Sequence, residues 1–320
     1  MELYSNISHV DKKVSRIFFG TQSNQMCMGQ DSTEVLDSVV ACGIQTLDTA
    51  RAYTASEKVI GDWMKKRGNR NDLVILSKGG HPSAFGRKRI NDTDIRKDLE
   101  RSLKYLQTDY IDIYLLHRDD PDVPVAEICE IMNALHNEGK IGAFGGSNWS
   151  VKRIQELNDY AHAHDLIPFE VSSPHYGLAE QIGISWDNTC ESITGAGKAA
   201  DRKWYADTQI PVIAYSSLGR GLMSGKFTSN NLDDVYKYMD EPARKGYAYE
   251  ANFKRLARCE ELAKEKGCLV PQIALAWMFY QGMNVYSIIS TTNPERMKRN
   301  LAALDIQLTP EECKYLNLED

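Results

Sequence analysis

Four side chains in this chain could together move a proton: Asp48, Tyr53, Lys78 and His117. Each stands at the end of a short apolar run or just beyond it. Residues 45–48 run into Asp48, with Tyr53 five positions on. Residues 73–77 run into Lys78, and 110–116 run into His117. A phenol titrates near pH ~10 and holds its proton at neutrality. A neighbouring ammonium favours the phenolate and lowers that value. A carboxylate can fix the ammonium, and a neutral histidine can orient a carbonyl oxygen by hydrogen bonding. The set therefore suits proton donation to an oxygen that becomes negative in a transition state. Taken singly, Asp48 reads as a cap or ion pair, Tyr53 as packing and Lys78 as a solvated strand end. His117 is the least ordinary of the four. Matched positions on successive strands give the functional reading its weight.

The elements that must position these groups alternate. Strands are expected at residues 15–20, 45–48, 73–77, 110–116, 141–145, 169–172, 211–216 and 285–289. Helices are expected at 32–42, 56–66, 94–106, 125–137, 151–163 and 294–304. The first has Asp31 as its cap with Glu34 three residues on. In 94–106, Ile95, Leu99, Leu103 and Leu106 share one face. Eight mostly continuous apolar runs separated by amphipathic helices imply a closed parallel sheet with helices outside, a (β/α)8 TIM barrel. An open doubly wound sheet is the structural alternative. With no Pro-, Gly- or Ser-rich linker, residues 1–320 read as a single barrel domain. Long loops at about 177–209 and 217–249 are expected over the C-terminal face, where a barrel carries its site.

Bulk properties narrow the function. The 320 residues fit one barrel of about 250 residues plus insertions. The apolar share of 42% supports a large core. A net charge of -6 argues against a nucleic-acid partner. The seven cysteines are scattered and never in CxxC spacing, so neither a zinc site nor a disulfide framework is expected, and no metal. There is no signal-like N-terminus and no apolar run of ~18 residues, so the chain reads as cytoplasmic, without a membrane partner. Gly195, Gly197 and Ala200 match GxGxxA but follow no buried strand, so no Rossmann fingerprint is read there. Gly225-Lys226 lacks Walker spacing. His136, His162 and His164 read as surface or packing residues, and His81 as a loop residue close enough to Lys78 to approach the pocket.

With those residues in place, the chain resembles the aldo-keto reductase superfamily over nearly its full length. The resemblance rests on Gly20-Thr21, the stretch from Gly43 through Asp48-Thr49-Ala50 to Tyr53, the run 56–61, Lys78, and Asp109 through His117. It continues with Gly139-Lys140-Ile141, Ser147-Asn148, Tyr215-Ser216, the run 221–226, Arg296 and Asn300. The stretches 117–121 and 147–149 resemble a microbial branch.

The resemblance implies a barrel that binds a nicotinamide cofactor without a Rossmann domain. Tyr53 would be the general acid, Lys78 would lower its pKa, Asp48 would hold Lys78, and His117 would orient the carbonyl. Gly20, Thr21 and Asp48 would lie on the cofactor. Ser147, Asn148 and Ser173 would meet the carboxamide, and Tyr215 would stack on the nicotinamide. Ser216, Leu218 and Arg220 would wrap the pyrophosphate. Thr291, Thr292, Arg296, Arg299 and Asn300 would meet the adenosine end. Ser172-Ser173-Pro174 stands where many members carry glutamine, Ser290 where some carry lysine, and Arg299 where some carry an acid. The arginines favour NADPH, with NADH as the alternative. Tyr53, His117, Trp149 and Trp186 would contact a small-molecule carbonyl substrate, with Tyr176 and Trp204 as further wall candidates. The expected activity is reduction of an aldehyde, ketone or sugar carbonyl. The alternatives are a slow redox-sensing or regulatory subunit on the same barrel, and a sugar or polyol dehydrogenase working oxidatively. Monomer and homo-oligomer are both open.

Overall fold

Runs of branched and aromatic side chains that end in polar residues form the strands of the protein, seen here in a computed structural model that describes residues 1–183 and 189–319. We label the barrel strands β1 (Ile17–Gly20), β2 (Thr46–Asp48), β3 (Val74–Gly79), β4 (Ile111–Leu116), β5 (Ile141–Ser147), β6 (Val171–Ser173), β7 (Val212–Ala214) and β8 (Val285–Ile289). Their residues are buried almost throughout, as parallel strands covered on both faces must be. The strands form a closed barrel in the order β8-β1-β2-β3-β4-β5-β6-β7. The expected (β/α)8 TIM barrel is therefore the observed fold.

Parallel register brings the polar strand ends level. Gly20 sits opposite Asp48, Asp48 opposite Leu76, and Lys78 opposite Leu115. Main-chain pairing runs past the strand ends. Thr49 N donates to Leu76 O (2.8 Å), Arg51 N to Lys78 O (2.9 Å) and His117 N to Gly79 O (2.7 Å). The backbone that carries the polar groups is thus held by the same ladder that builds the sheet.

The chain divides into two compact units. One comprises residues 4–173 with 290–294. It holds β1–β6 and the helices Thr33–Ala41, Ser56–Arg67, Asp92–Leu106, Val125–Asn137 and Val151–Ala163. It also holds an antiparallel pair, Tyr4–Ser5 with Val14–Ser15, that the sequence pattern did not suggest. The helix expected at 94–106 starts at Asp92 because Asn91 caps it, accepting from Asp94 N at 2.9 Å. Its face of Ile95, Leu99, Leu103 and Leu106 is buried as expected. The expected cap at Asp31 shifts by one residue. Ser32 occupies the cap position, while Asp31 Oδ1 accepts from Thr33 N at 2.9 Å. Gly61 lets two helices touch, since a Cβ there would lie 2.0 Å from Tyr105 O.

The other unit comprises Met1–Leu3, Pro174–Ile289 and Glu295–Asp320. It holds β7 and β8. The two stretches expected as long loops contain helices, Ala199–Thr208 in the first and Asp233–Tyr238 and Glu241–Tyr247 in the second. Two further helices, Glu250–Glu265 and Val270–Phe279, fill a stretch without an assigned element. Strand β7 stops short of the expected residue 216, because Ser216 takes a left-handed backbone with φ 53°. The helix from Pro294 ends at Leu301 and tightens into a 3-10 turn over Ala302–Asp305. Among the described residues, no helix is long and apolar enough to cross a membrane.

Candidate active site

The residues 4–173 unit brings all four expected groups together. Asp48, at the end of β2, forms a direct ion pair with Lys78 from β3. Lys78 Nζ also donates to Thr49 O at 3.0 Å. The ammonium lies 5.3 Å from the centre of the Tyr53 ring. Tyr53 in turn meets His117, which follows β4, edge to face at 5.8 Å between ring centres. Asp48 and Lys78 are each 3% exposed and His117 7%, so water is largely excluded. Tyr53, on the loop after β2, is half-buried.

Burial sets the charges. It pushes the Asp48 carboxyl up from its ordinary value, against the pull of Lys78. It holds the His117 imidazole well below the usual range, with help from the charges of Lys78 and Arg118. His117 is therefore neutral at pH 7, as the expected carbonyl-orienting role requires. The expectation for Tyr53 is corrected. Burial, followed by the Asp48 carboxylate, lifts its phenol well above the ordinary value. The Arg118 charge pulls the other way without reversing the shift. The phenol is held protonated.

A surrounding layer fixes these groups. Thr21, expected on the cofactor, is fully buried and spends its hydroxyl on Asp48 O (2.8 Å), while Ser56 Oγ donates to Thr21 Oγ1 (2.7 Å). It clamps the ends of β1 and β2. On the outer face of β3, Ser77 Oγ donates to Glu57 Oε1 at 2.7 Å, and Glu57 pairs with Arg51 at 2.7 Å. This ties down the loop that carries Tyr53. Two residues join the site that sequence reasoning underweighted. His81 meets His117 edge to face at 4.9 Å. Arg118, 8% exposed, acts electrostatically on both Tyr53 and His117. Their closeness in sequence to Lys78 and His117 was the available signal.

A polar cluster lies at the ends of β5 and β6. Ser147 Oγ donates to Ser173 O at 3.0 Å, and Asn148 Nδ2 reaches Ser147 Oγ at 3.1 Å and His117 O at 3.3 Å. Asn148 has φ 61°, a left-handed backbone that asparagine tolerates. Ser173 Oγ is buried with no hydrogen-bond partner among the described residues, as is His117 Nδ1. Trp149, expected on the substrate wall, is 1% exposed and packs on Phe169 at 4.9 Å. Its ring has almost no surface to offer a ligand, so it is core packing. Trp186 lies outside the described residues.

In the 290–294 segment, Thr291 Oγ1 accepts from Asn293 N at 3.1 Å, and Thr292 is exposed. In the other unit, Tyr215 packs against His175 at 5.8 Å. After it, Ser216, Gly219, Arg220 and Gly221 all have positive φ, giving a tightly wound segment about Leu218. Arg220 pairs with Asp240 at 3.0 Å. On the helix Pro294–Leu301, Arg296 and Arg299 are exposed and Asn300 is 6% exposed. Tyr176 is fully buried against Trp277, and Trp204 packs on Tyr205.

Comparison with known proteins shows the family. The profile of the Aldo/keto reductase family matches residues 16–318. The aldo-keto reductase YhdN of Bacillus subtilis (strain 168) is 31% identical over 296 residues, covering 87% of this chain and 81% of that protein. An aldo-keto reductase of Gibberella moniliformis (strain M3125 / FGSC 7600) is 30% identical over 315 residues, covering 95% and 90%. An aryl-alcohol dehydrogenase of Pestalotiopsis microspora, GME11368, is 28% identical over 302 residues, covering 91% and 72%.

Proposed function

The chain belongs to the aldo/keto reductase family of NAD(P)H-dependent oxidoreductases, and on that premise we propose that it reduces the carbonyl of a small aldehyde, ketone or sugar. The observation that carries the reading is the convergence of Asp48, Tyr53, Lys78 and His117 within one unit. The bound nicotinamide supplies the hydride. The protein supplies position and a proton. Neutral His117 orients the carbonyl oxygen. Tyr53, held protonated, gives its phenolic proton to that oxygen as negative charge develops. Lys78, fixed by Asp48 and Thr49 O, lies beside the ring and stabilises the phenolate left behind. Low exposure strengthens each of these interactions.

The residues fit the cofactor. The orphaned Ser173 hydroxyl beside Ser147 and Asn148 is a buried polar atom that a carboxamide would satisfy. Tyr215 and the segment 216–221 take the ring-stacking and pyrophosphate roles in this proposal, with Thr291, Thr292 and Asn300 at the adenosine end. Arg296 and Arg299, exposed on their helix, suit a 2′-phosphate and favour NADPH over NADH. All seven cysteines are free thiols, which suits the reducing cytoplasm as the place of action.

The test is oxidation of NADPH and of NADH over a panel of aldehydes, ketones and keto sugars. Turnover, faster with NADPH, is the expected result. Tight NADPH binding with no turnover across the panel would move the protein to a redox-sensing role.

A further inference from the structure

The geometry points to His81 as a specificity residue that selects substrates carrying a hydroxyl or other hydrogen-bond donor on the carbon next to the reacting carbonyl. This inference rests on the carbonyl-reducing role proposed for the same site.

His81 lies on the turn after β3, and its ring stands edge-on to His117 at 4.9 Å between centres. The two histidines differ in access. His117 is 7% exposed, while His81 is half-buried and keeps surface that a ligand can touch. The turn is built to hold the ring there. His81 O accepts from Arg89 Nη1 at 3.2 Å. Arg89 is anchored to buried Asp98 at 2.6 Å, and Asp98 accepts from Gly80 N at 3.0 Å. Gly80 itself has φ 71°, and a Cβ there would lie 2.6 Å from Ile90 Cδ1. The main chain of Gly80 and of His81 itself is thus tied to the helix Asp92–Leu106, the first directly and the second through Arg89.

The hydrogen bonding of the ring fixes what it can offer. His81 Nδ1 is 2.9 Å from Pro82 O. A carbonyl only accepts, so this contact selects the tautomer with the proton on Nδ1, in which Nε2 is the acceptor. An acceptor beside the carbonyl-orienting histidine matches a donor beside the carbonyl. With the substrate oxygen on His117, the substituent of its adjacent carbon is one or two bonds away, within reach of a ring at that spacing. A hydroxyl there satisfies Nε2. A methyl group displaces water from Nε2 without replacing its hydrogen bond, and a site that offers an acceptor disfavours the analogue that lacks the donor. The substrate class is therefore α-hydroxy aldehydes and ketones, small sugars among them, rather than plain alkanals.

The experiment compares glycolaldehyde with propanal, which differ by a hydroxyl in place of a methyl group. The readout is the ratio of their kcat/KM values in wild type, His81→Leu and His81→Gln. The ratio cancels the fraction of correctly folded enzyme. The expected result is a wild-type preference for glycolaldehyde that falls about tenfold in His81→Leu and is largely restored by glutamine, whose amide can again accept. An unchanged ratio, with both substrates losing rate equally, would show that His81 only packs against His117 and would overturn the proposal. Absence of cofactor oxidation with any carbonyl in the wild type would instead overturn the reductase reading itself, and this inference with it.

Discussion

Strand β3 meets an ion pair on each of its faces, and the two differ in how the groups around them are bonded. On the outer face, Glu57 is fully buried and its two oxygens are taken up by Arg51 and Ser77. On the inner face, Lys78 pairs with Asp48 and Thr49 O, yet the groups beside the pair are incompletely bonded. His117 Nδ1 and Ser173 Oγ have no partner among the described residues. Neighbouring positions on one strand, Ser77 and Lys78, thus serve opposite ends. The saturated pair holds a loop, whereas the unsaturated cluster is where the proposed substrate and cofactor would bond. Buried polar groups are normally bonded, so orphans with shifted pKa values are candidates for chemistry, and the proposed function places it at the inner cluster rather than at the equally orphaned Tyr114 or His175.

The comparison is best broken at its inner pair. Lys78→Met leaves the Asp48 carboxylate buried without its cation, and a loss of about 3–5 kcal/mol in unfolding free energy is expected by urea titration. Adding Asp48→Asn should recover most of that stability but none of the turnover. Recovery of both would reduce the pair to a structural one. Glu57→Gln tests the outer pair. It should lower stability by about 2–3 kcal/mol, because Arg51 retains some exposure, while the folded enzyme keeps kcat within a few-fold.

A third test concerns His175, which in its own unit also has one nitrogen bonded, to Ser192 Oγ at 2.9 Å, and Nε2 unpartnered among the described residues. Burial pulls its pKa down to about 3. The folded state then stays neutral where the unfolded chain takes up a proton, below pH ~6.5. Stability must fall as pH drops from there toward 3, by about 2 kcal/mol at pH ~5 from this residue alone. His175→Gln should flatten that part of the stability curve, and an unaltered slope would refute the assignment. The smallest effect belongs to the exposed helix pair Lys58–Asp62. Lys58→Ala should change stability by less than about 0.5 kcal/mol, and a larger change would undo the argument from burial.

What was legible in the sequence follows the same division. The strand ends could be read because each polar residue interrupts an apolar run, and parallel register places such interruptions together. The upward shift of the Tyr53 phenol could not, since it comes from burial and then from the Asp48 carboxylate in space. Trp149 follows Ser147 and Asn148, so sequence alone put it beside them. In space it turns into the core against Phe169, with Gly146 making room, where a Cβ would lie 2.5 Å from its ring. His81 was near Lys78 in sequence, but only the Gly80 turn directs it onto His117. The helices within 177–209 and 217–249 were missed because short helices between polar turns show no sustained apolar face. Ala199–Thr208, for instance, buries only Tyr205.

The most direct test of the central claim is the rate of hydride transfer in Tyr53→Phe beside the wild type, with NADPH affinity measured on the same samples. The account predicts unchanged NADPH binding and a rate about a thousandfold lower, the share that a positioned general acid supplies. A variant that binds NADPH and turns over within a few-fold of the wild type would contradict it.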